Sequence, residues 1–317
     1  MREAAARRAA SRAGQRSLPP AGEPYAALVE RELACGPHGV SPVDTLAVFL
    51  VGRECPFGCV FCDLWRYTTP GPTPPGALPA QLARALPQLP RERRPAATLK
   101  LYNASNFDRL AVPPADLAAM AEVGREFARV VVECHPRRVG DLLPEFAAAL
   151  GPTVLEVAMG LETVDPRAMA RLGKSLDLAI FDRAAVWLRT QGMALRVFVL
   201  VGAPFVPDAL RHDSTVASVA HALARGASHV SLIPVRPTPD LVQLTAEGEW
   251  TPPTLDEVEA AFDAARVLAA TAGGVVTVDL WDMARRWPEA PALAARLARL
   301  ERLNLVPPIG EARPPHA

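Results

Sequence analysis

No apolar run in this chain of 317 residues approaches the roughly 18 residues that a membrane-spanning helix needs, so no membrane span is expected. Net charge is missing too, because 34 lysines and arginines meet 34 aspartates and glutamates. Such a balance offers no general surface for nucleic acid and leaves open only a local basic groove. Cysteine is scarce: Cys35, Cys55, Cys59, Cys62 and Cys134 are the whole set. An odd, clustered set is not a secreted disulfide framework and argues for a reducing, cytoplasmic location. Residues 1–16 lack the apolar centre of a signal peptide. Their five arginines against one glutamate read as a solvated, partly helical tail, with a weak RNA-contacting arm as the alternative. No internal repeat and no second cysteine cluster occur.

What is present is a large apolar fraction, 50%, cut into short runs. "YAALVERELACG" (25–36) has the composition of a short helix closed by Gly36. From "TLAVFLVG" (45–52) onward the chain alternates. Strand runs at 97–103, 129–134, 153–162, 194–202, 229–235 and 275–282 are separated by helical stretches at 79–89, 113–128, 141–150, 166–173, 178–192, 208–226 and 255–274. Repeated β/α units imply a parallel sheet with helices covering it. Unbroken runs such as "LAVFLV" and "RVFVLV" suit strands buried on both faces. Six or seven units fall short of an eightfold barrel, so an α/β partial, TIM-like barrel is expected, with a doubly wound sheet as the alternative. The expected organisation is a tail and short helix over 1–40, the barrel over 41–285, and a helix with a Pro-rich end over 286–317. In either fold, ligands belong at the carboxyl ends of the strands.

There the sequence places "VGRECPFGCVFCDLW" (51–65). Cys55, Cys59 and Cys62, spaced C-x3-C-x2-C, follow the first strand run directly. Soft thiolates suit an iron–sulfur cluster or zinc. A 4Fe–4S cluster usually takes four cysteines, so three would leave one iron open to a bidentate small molecule. A structural zinc site completed by Cys35 or His38 is the competing assignment, and with it a non-catalytic zinc- or cluster-binding protein.

"CPFGCVFC", with aromatic Phe61 before the third cysteine, resembles the motif of the radical S-adenosylmethionine superfamily. "MGLETVDPRAMARLGK" (159–174) and "FVLVGAPF" (198–205) are similar to its elongator, methylthiotransferase and nitrogenase-cofactor branch. "KLYNASNF", "SLIPV" and "WTPPTLDEV" add a likeness to archaeosine-synthase-like proteins and their bacterial relatives. The resemblance implies a partial (β/α)6 barrel. It also implies a 4Fe–4S cluster on Cys55, Cys59 and Cys62 that binds S-adenosylmethionine and cleaves it to a 5′-deoxyadenosyl radical, which abstracts hydrogen from a substrate. Phe61 would pack near the adenine. Asn103, Ala104 and Ser105 stand where the family often has Gly-Gly-Glu-Pro for the methionine amino group. Glu133 and Glu162 would hold ribose hydroxyls or that amino group, Arg196 the carboxylate, and Val201, Gly202 and Ile233 the adenine. Implied partners are a flavodoxin- or ferredoxin-like electron donor and a substrate for which a tRNA base is one class.

Other readings compete at several of these positions. Glu133, Glu162 and Arg196 would equally serve internal ion pairs. Cys134 reads as a small core residue. His135 and Lys174 are open to either role. Trp65 and Arg66 are placed to cover the cysteines, whereas Trp250, Trp281 and Trp287 read as core or helix-packing residues.

Overall fold

The computed structural model describes residues 18–20, 22–36, 39–69 and 71–308. The arginine-rich segment 1–16 and His38 lie outside the described residues. Hydrogen-bonded strand neighbours follow chain order. The chain divides into two compact units, Met1–Glu30 with Asp44–Ala158, and Arg31–Val43 with Met159–Ala317.

In the first unit, strands β2 (Gly39–Leu50), β3 (Thr98–Asn103), β4 (Arg129–Glu133) and the start of β5 (Val154–Glu162) are parallel neighbours. Leu46 pairs with Leu99, Leu99 with Val130, and Val130 with Leu155, so one apolar layer crosses the sheet. Helices α1 (Ala77–Ala85), α2 (Pro114–Gly124) and α3 (Leu143–Leu150) pack in succession. The abundant prolines find use here: Pro114 sits in the first turn of α2 and Pro144 in that of α3, where an amide proton would have no partner.

The second unit holds the end of β5, then β6 (Ala194–Val201), β7 (His229–Pro234) and β8 (Val275–Val278). β6, β7 and β8 are parallel, with Arg196 paired to His229 and His229 to Val275. Its helices are α4 (Pro166–Arg171), α5 (Leu178–Thr190), α6 (Arg211–Ala224), α7 (Pro239–Ala246), α8 (Leu255–Ala272), α9 (Met283–Arg286) and α10 (Leu293–Asn304). Their starts are written in sequence. Asp165, Asp177 and Thr238 accept first-turn amides, and Thr254 with Glu257 forms a capping box on α8. All seven strand runs from residue 45 onward are strands, and the α/β class with its parallel β/α succession is as expected.

Helices α7 and α9 fall where no helix is expected, and one expected element changes type. Residues 25–36 do not form a helix; Ala26–Gly36 is strand β1. It is separated from β2 by two residues, a connection only antiparallel strands can use. Its period-two pattern explains the outcome better than its helix propensity. Glu30 accepts from Lys100 Nζ at 2.9 Å. Glu32, two residues on and therefore on the same face, takes Arg196 Nη1 at 2.8 Å and Nη2 at 2.9 Å. Arg196 is 2% exposed, so Glu32 neutralises a charge that has left water.

Replacing Glu32 with alanine should therefore strand a buried guanidinium and cost about 3–5 kcal/mol. Urea unfolding measures this; a loss below about 1 kcal/mol would show that the fold does not depend on the pair.

Candidate functional site

The cysteine loop belongs to the first unit and leaves β2 under tight backbone control. Gln81 from α1 acts as a substitute strand neighbour: its Oε1 accepts from Val51 N at 2.7 Å and its Nε2 donates to Val51 O at 2.9 Å. Thr73 Oγ1 accepts from Arg53 N at 2.8 Å and donates to Ala111 O at 2.6 Å. A Cβ on Gly52 would stand 2.9 Å from that same Oγ1, so glycine is needed for the approach. Thr69 N donates to Gly52 O at 2.8 Å, which closes the loop at its base.

Cys55, Cys59 and Cys62 are half-buried on this loop, and Cys62 N donates to Cys59 O at 3.3 Å. Burial pushes the Cys62 thiol up to about 12, and the negative charges of Cys59 and Cys55 add to the rise. A metal binding there has to displace protons. Among the described residues, no three His, Cys, Asp or Glu side chains are already gathered around one point. Soft sulfur donors on a single loop fit an iron–sulfur cluster or zinc.

The exits of β3 and β4 brace the loop. Asn106 donates from Nδ2 to Cys55 Sγ at 3.5 Å and accepts from His135 N through Oδ1 at 2.9 Å. Phe57, from the loop, stacks on the His135 ring at 3.8 Å and 16°. His135 Nδ1 accepts from Arg137 N at 3.1 Å, which leaves the ring proton on Nε2. Asn103, the last residue of β3, donates from Nδ2 to Asn106 O at 3.0 Å. Its Oδ1 is buried without a donor. Ala104 and Ser105 follow as a half-buried bend; Phe61 and Glu133 are also half-buried. Cys134 is buried, and desolvation raises its thiol pKa.

In the second unit, Glu162 ends β5 in the left-handed region, at φ 71°. This is costly for a residue with a side chain, and such positions concentrate at functional sites. Its carboxylate binds Lys174, and both are buried. A Cβ on Gly160 would collide with both charged groups, Glu162 Oε1 and Lys174 Nζ. Val201 ends β6, and Gly202 follows at φ 78°. Trp250 Nε1 donates to Gly202 O at 2.9 Å, and Trp287 Nε1 to Pro253 O at 3.1 Å. The segments "GAPF" and "WTPP" are therefore two sides of one contact. Ile233 is half-buried near the end of β7. Arg196 sits at the third position of β6, bound to Glu32. Trp250 is core at 2% exposure, but Trp281, expected to be core or helix-packing, is 57% exposed.

Phe57 and Asn106 join the cysteine loop although the sequence does not single them out, and in the second unit the same holds for Glu32 beside Arg196. Only the shortness of "YNASNF" hints that a second asparagine turns back toward the cysteines. Lys174 carries a signal of its own: it and Lys100 are the only lysines in the chain.

No family model matches the chain, and no curated protein does. Solved structures do, and several of them are radical S-adenosylmethionine enzymes. A mutant spore photoproduct lyase with a dinucleoside spore photoproduct is 10% identical, over 78% of this chain and 79% of that one, with a TM-score of 0.52. HydG, a maturase of the [FeFe]-hydrogenase, is 11% identical over 84% of this chain and 55% of that one, also at 0.52. The methyltransferase TsrM of Kitasatospora setae, with cobalamin and a [4Fe-4S] cluster bound, is 15% identical at a TM-score of 0.44; the match takes in 64% of this chain and spans 36% of that one. At such identities the first two likenesses show a shared fold.

The Gly202 contact yields a direct test. In Gly202→Ala the new Cβ meets the Pro253 ring at 2.8 Å, and the backbone keeps a positive φ. A loss of about 1–3 kcal/mol in denaturant unfolding is expected. Tryptophan fluorescence should report it, because Trp250 bonds the same residue. Unchanged stability and spectrum would contradict the contact.

Proposed function

We propose that Cys55, Cys59 and Cys62 hold a 4Fe–4S cluster and that the protein is a radical S-adenosylmethionine enzyme. The observation that carries this reading is the pairing of a three-thiol loop with an orphaned acceptor beside it. Asn103 Oδ1 is buried and lacks a donor, and Asn103 is joined through Asn106 to Cys55. A buried acceptor without a donor costs about 1–3 kcal/mol unless a ligand meets it. An ammonium only donates, so the amino group of S-adenosylmethionine suits that oxygen. The shared fold supports the same reading. Cluster-bearing radical S-adenosylmethionine proteins stand among the structural neighbours, TsrM being one.

A cluster bound there supplies the electron that cleaves the sulfonium of S-adenosylmethionine. The chain's own residues do the rest. Asn106 orients Cys55 and steadies its sulfur charge. The Phe57–His135 stack fixes the loop against the exit of β4. Asn103 receives the amino group in place of the carboxylate that the family often uses. The electron donor is proposed to be flavodoxin- or ferredoxin-like, and the substrate is to be sought first among tRNA and small-molecule pools.

Anaerobic reconstitution should give a brown protein with about four irons per chain. The Cys55→Ala/Cys59→Ala/Cys62→Ala variant should lose nearly all of it. A colourless zinc protein, or full iron in the triple variant, would sink the assignment. Asn103→Ala should keep the iron yet bind S-adenosylmethionine more weakly by about 1–3 kcal/mol. Equal affinity in that variant would remove Asn103 from the cofactor site.

A further inference from the structure

Lys100, Arg129, Arg196 and Lys174 are buried or nearly so, and each has a glutamate. At the exit of β7, in the second unit, the pattern breaks. Arg286 of α9 reaches back to the strand end. Its Nη1 donates to Pro234 O at 3.0 Å and its Nη2 to Val235 O at 2.7 Å. Its guanidinium lies over the Trp287 ring, 4.4 Å from the centroid. Both hydrogen-bond partners are uncharged.

Arg236 follows Val235 directly, so a second guanidinium issues from the backbone that holds the first. Arg236 is half-buried, and its side chain makes no hydrogen bond or ion pair among the described residues. Burial first, and then the charge of Arg236, bring Arg286 down to about 10. Asp279 and Asp282 act on Arg286 from the exit of β8 and oppose that shift, but neither is bonded to it. Asp279 Oδ1 accepts from Trp281 N at 2.9 Å, and Asp282 Oδ1 stands 3.5 Å from Arg285 Nε. Two neighbouring guanidiniums without a bonded carboxylate repel each other, and an anion between them relieves the cost.

We propose that Arg236 and Arg286 form an oxyanion site at the carboxyl end of β7 that takes the phosphate group of a ligand. The planar fork of arginine matches phosphate in two-point hydrogen bonding, and Arg286 is already fixed by the strand carbonyls. The carboxyl ends of parallel strands are where α/β proteins place their ligands. This inference goes beyond the cluster reading and holds whichever metal the cysteines bind.

Titrating the full-length chain with inorganic phosphate at constant ionic strength tests it. The melting temperature and Trp287 fluorescence are followed, with acetate as the second arm. Saturable phosphate binding, at least about tenfold tighter than acetate, is expected. Arg236→Gln should weaken phosphate binding about tenfold or more. Without phosphate its melting temperature should equal or exceed that of the parent, because a like charge has gone. A purely structural arginine would instead lower the melting temperature. No saturable binding by the parent, equal affinity in Arg236→Gln, acetate binding as tight as phosphate, or a lowered melting temperature in the variant would each overturn the proposal.

Discussion

A charge taken out of water must be met by its opposite, and much of this molecule is arranged around that demand. Four of the poorly solvated cations, Lys100, Arg129, Lys174 and Arg196, draw their carboxylates from two strands. Strand β1 supplies Glu30 and Glu32, and β5 supplies Glu156 and Glu162. Buried pairs of this kind add little net stability over an apolar core, but they penalise alternatives severely. Shifting β1 by one residue would turn both glutamates to the wrong face and leave Lys100 and Arg196 uncompensated. The pairs therefore set register as much as they hold strands.

Much of the fold is legible because the signal is redundant. Each strand from 45 onward is an apolar run of the right length, bounded by proline, glycine or a capping residue. Residues 25–36 mislead, because "YAALVEREL" has good helix propensity and its alternation is short. What decides their state is β2 beside them and two cations far along the chain, information that no local window contains. The cysteines are legible as a set because soft ligands at short spacing carry their chemistry in their identity. For Arg196 the sequence leaves both a cofactor contact and an internal pair open, and the structure gives it Glu32. The support around Cys55 is illegible, since Asn103, Asn106, Phe57 and His135 meet only after three separate strand exits have been placed.

The same contrast runs through the proline-rich segments. "TTPGPTPPG" and "WTPPT" carry too much proline for regular helix, yet neither is slack. Thr73 in the first pins the exit of β2, and Pro253 in the second packs on Gly202. Irregular chain becomes structural wherever its few polar atoms find backbone that a strand end has left unsatisfied.

The two lysines carry a consequence for the surface. Both are enclosed, one by Glu30 and one by Glu162, so the permanent side-chain cations that face solvent are guanidiniums. A solvated guanidinium stays charged across the physiological pH range and resists the acylating chemistry that consumes amines. The exterior is thus closed to lysine acetylation and to cross-linking through lysine. The two side-chain amines that exist become site-specific reporters: labelling at Lys100 or Lys174 would register the opening of one named ion pair with no other lysine to compete.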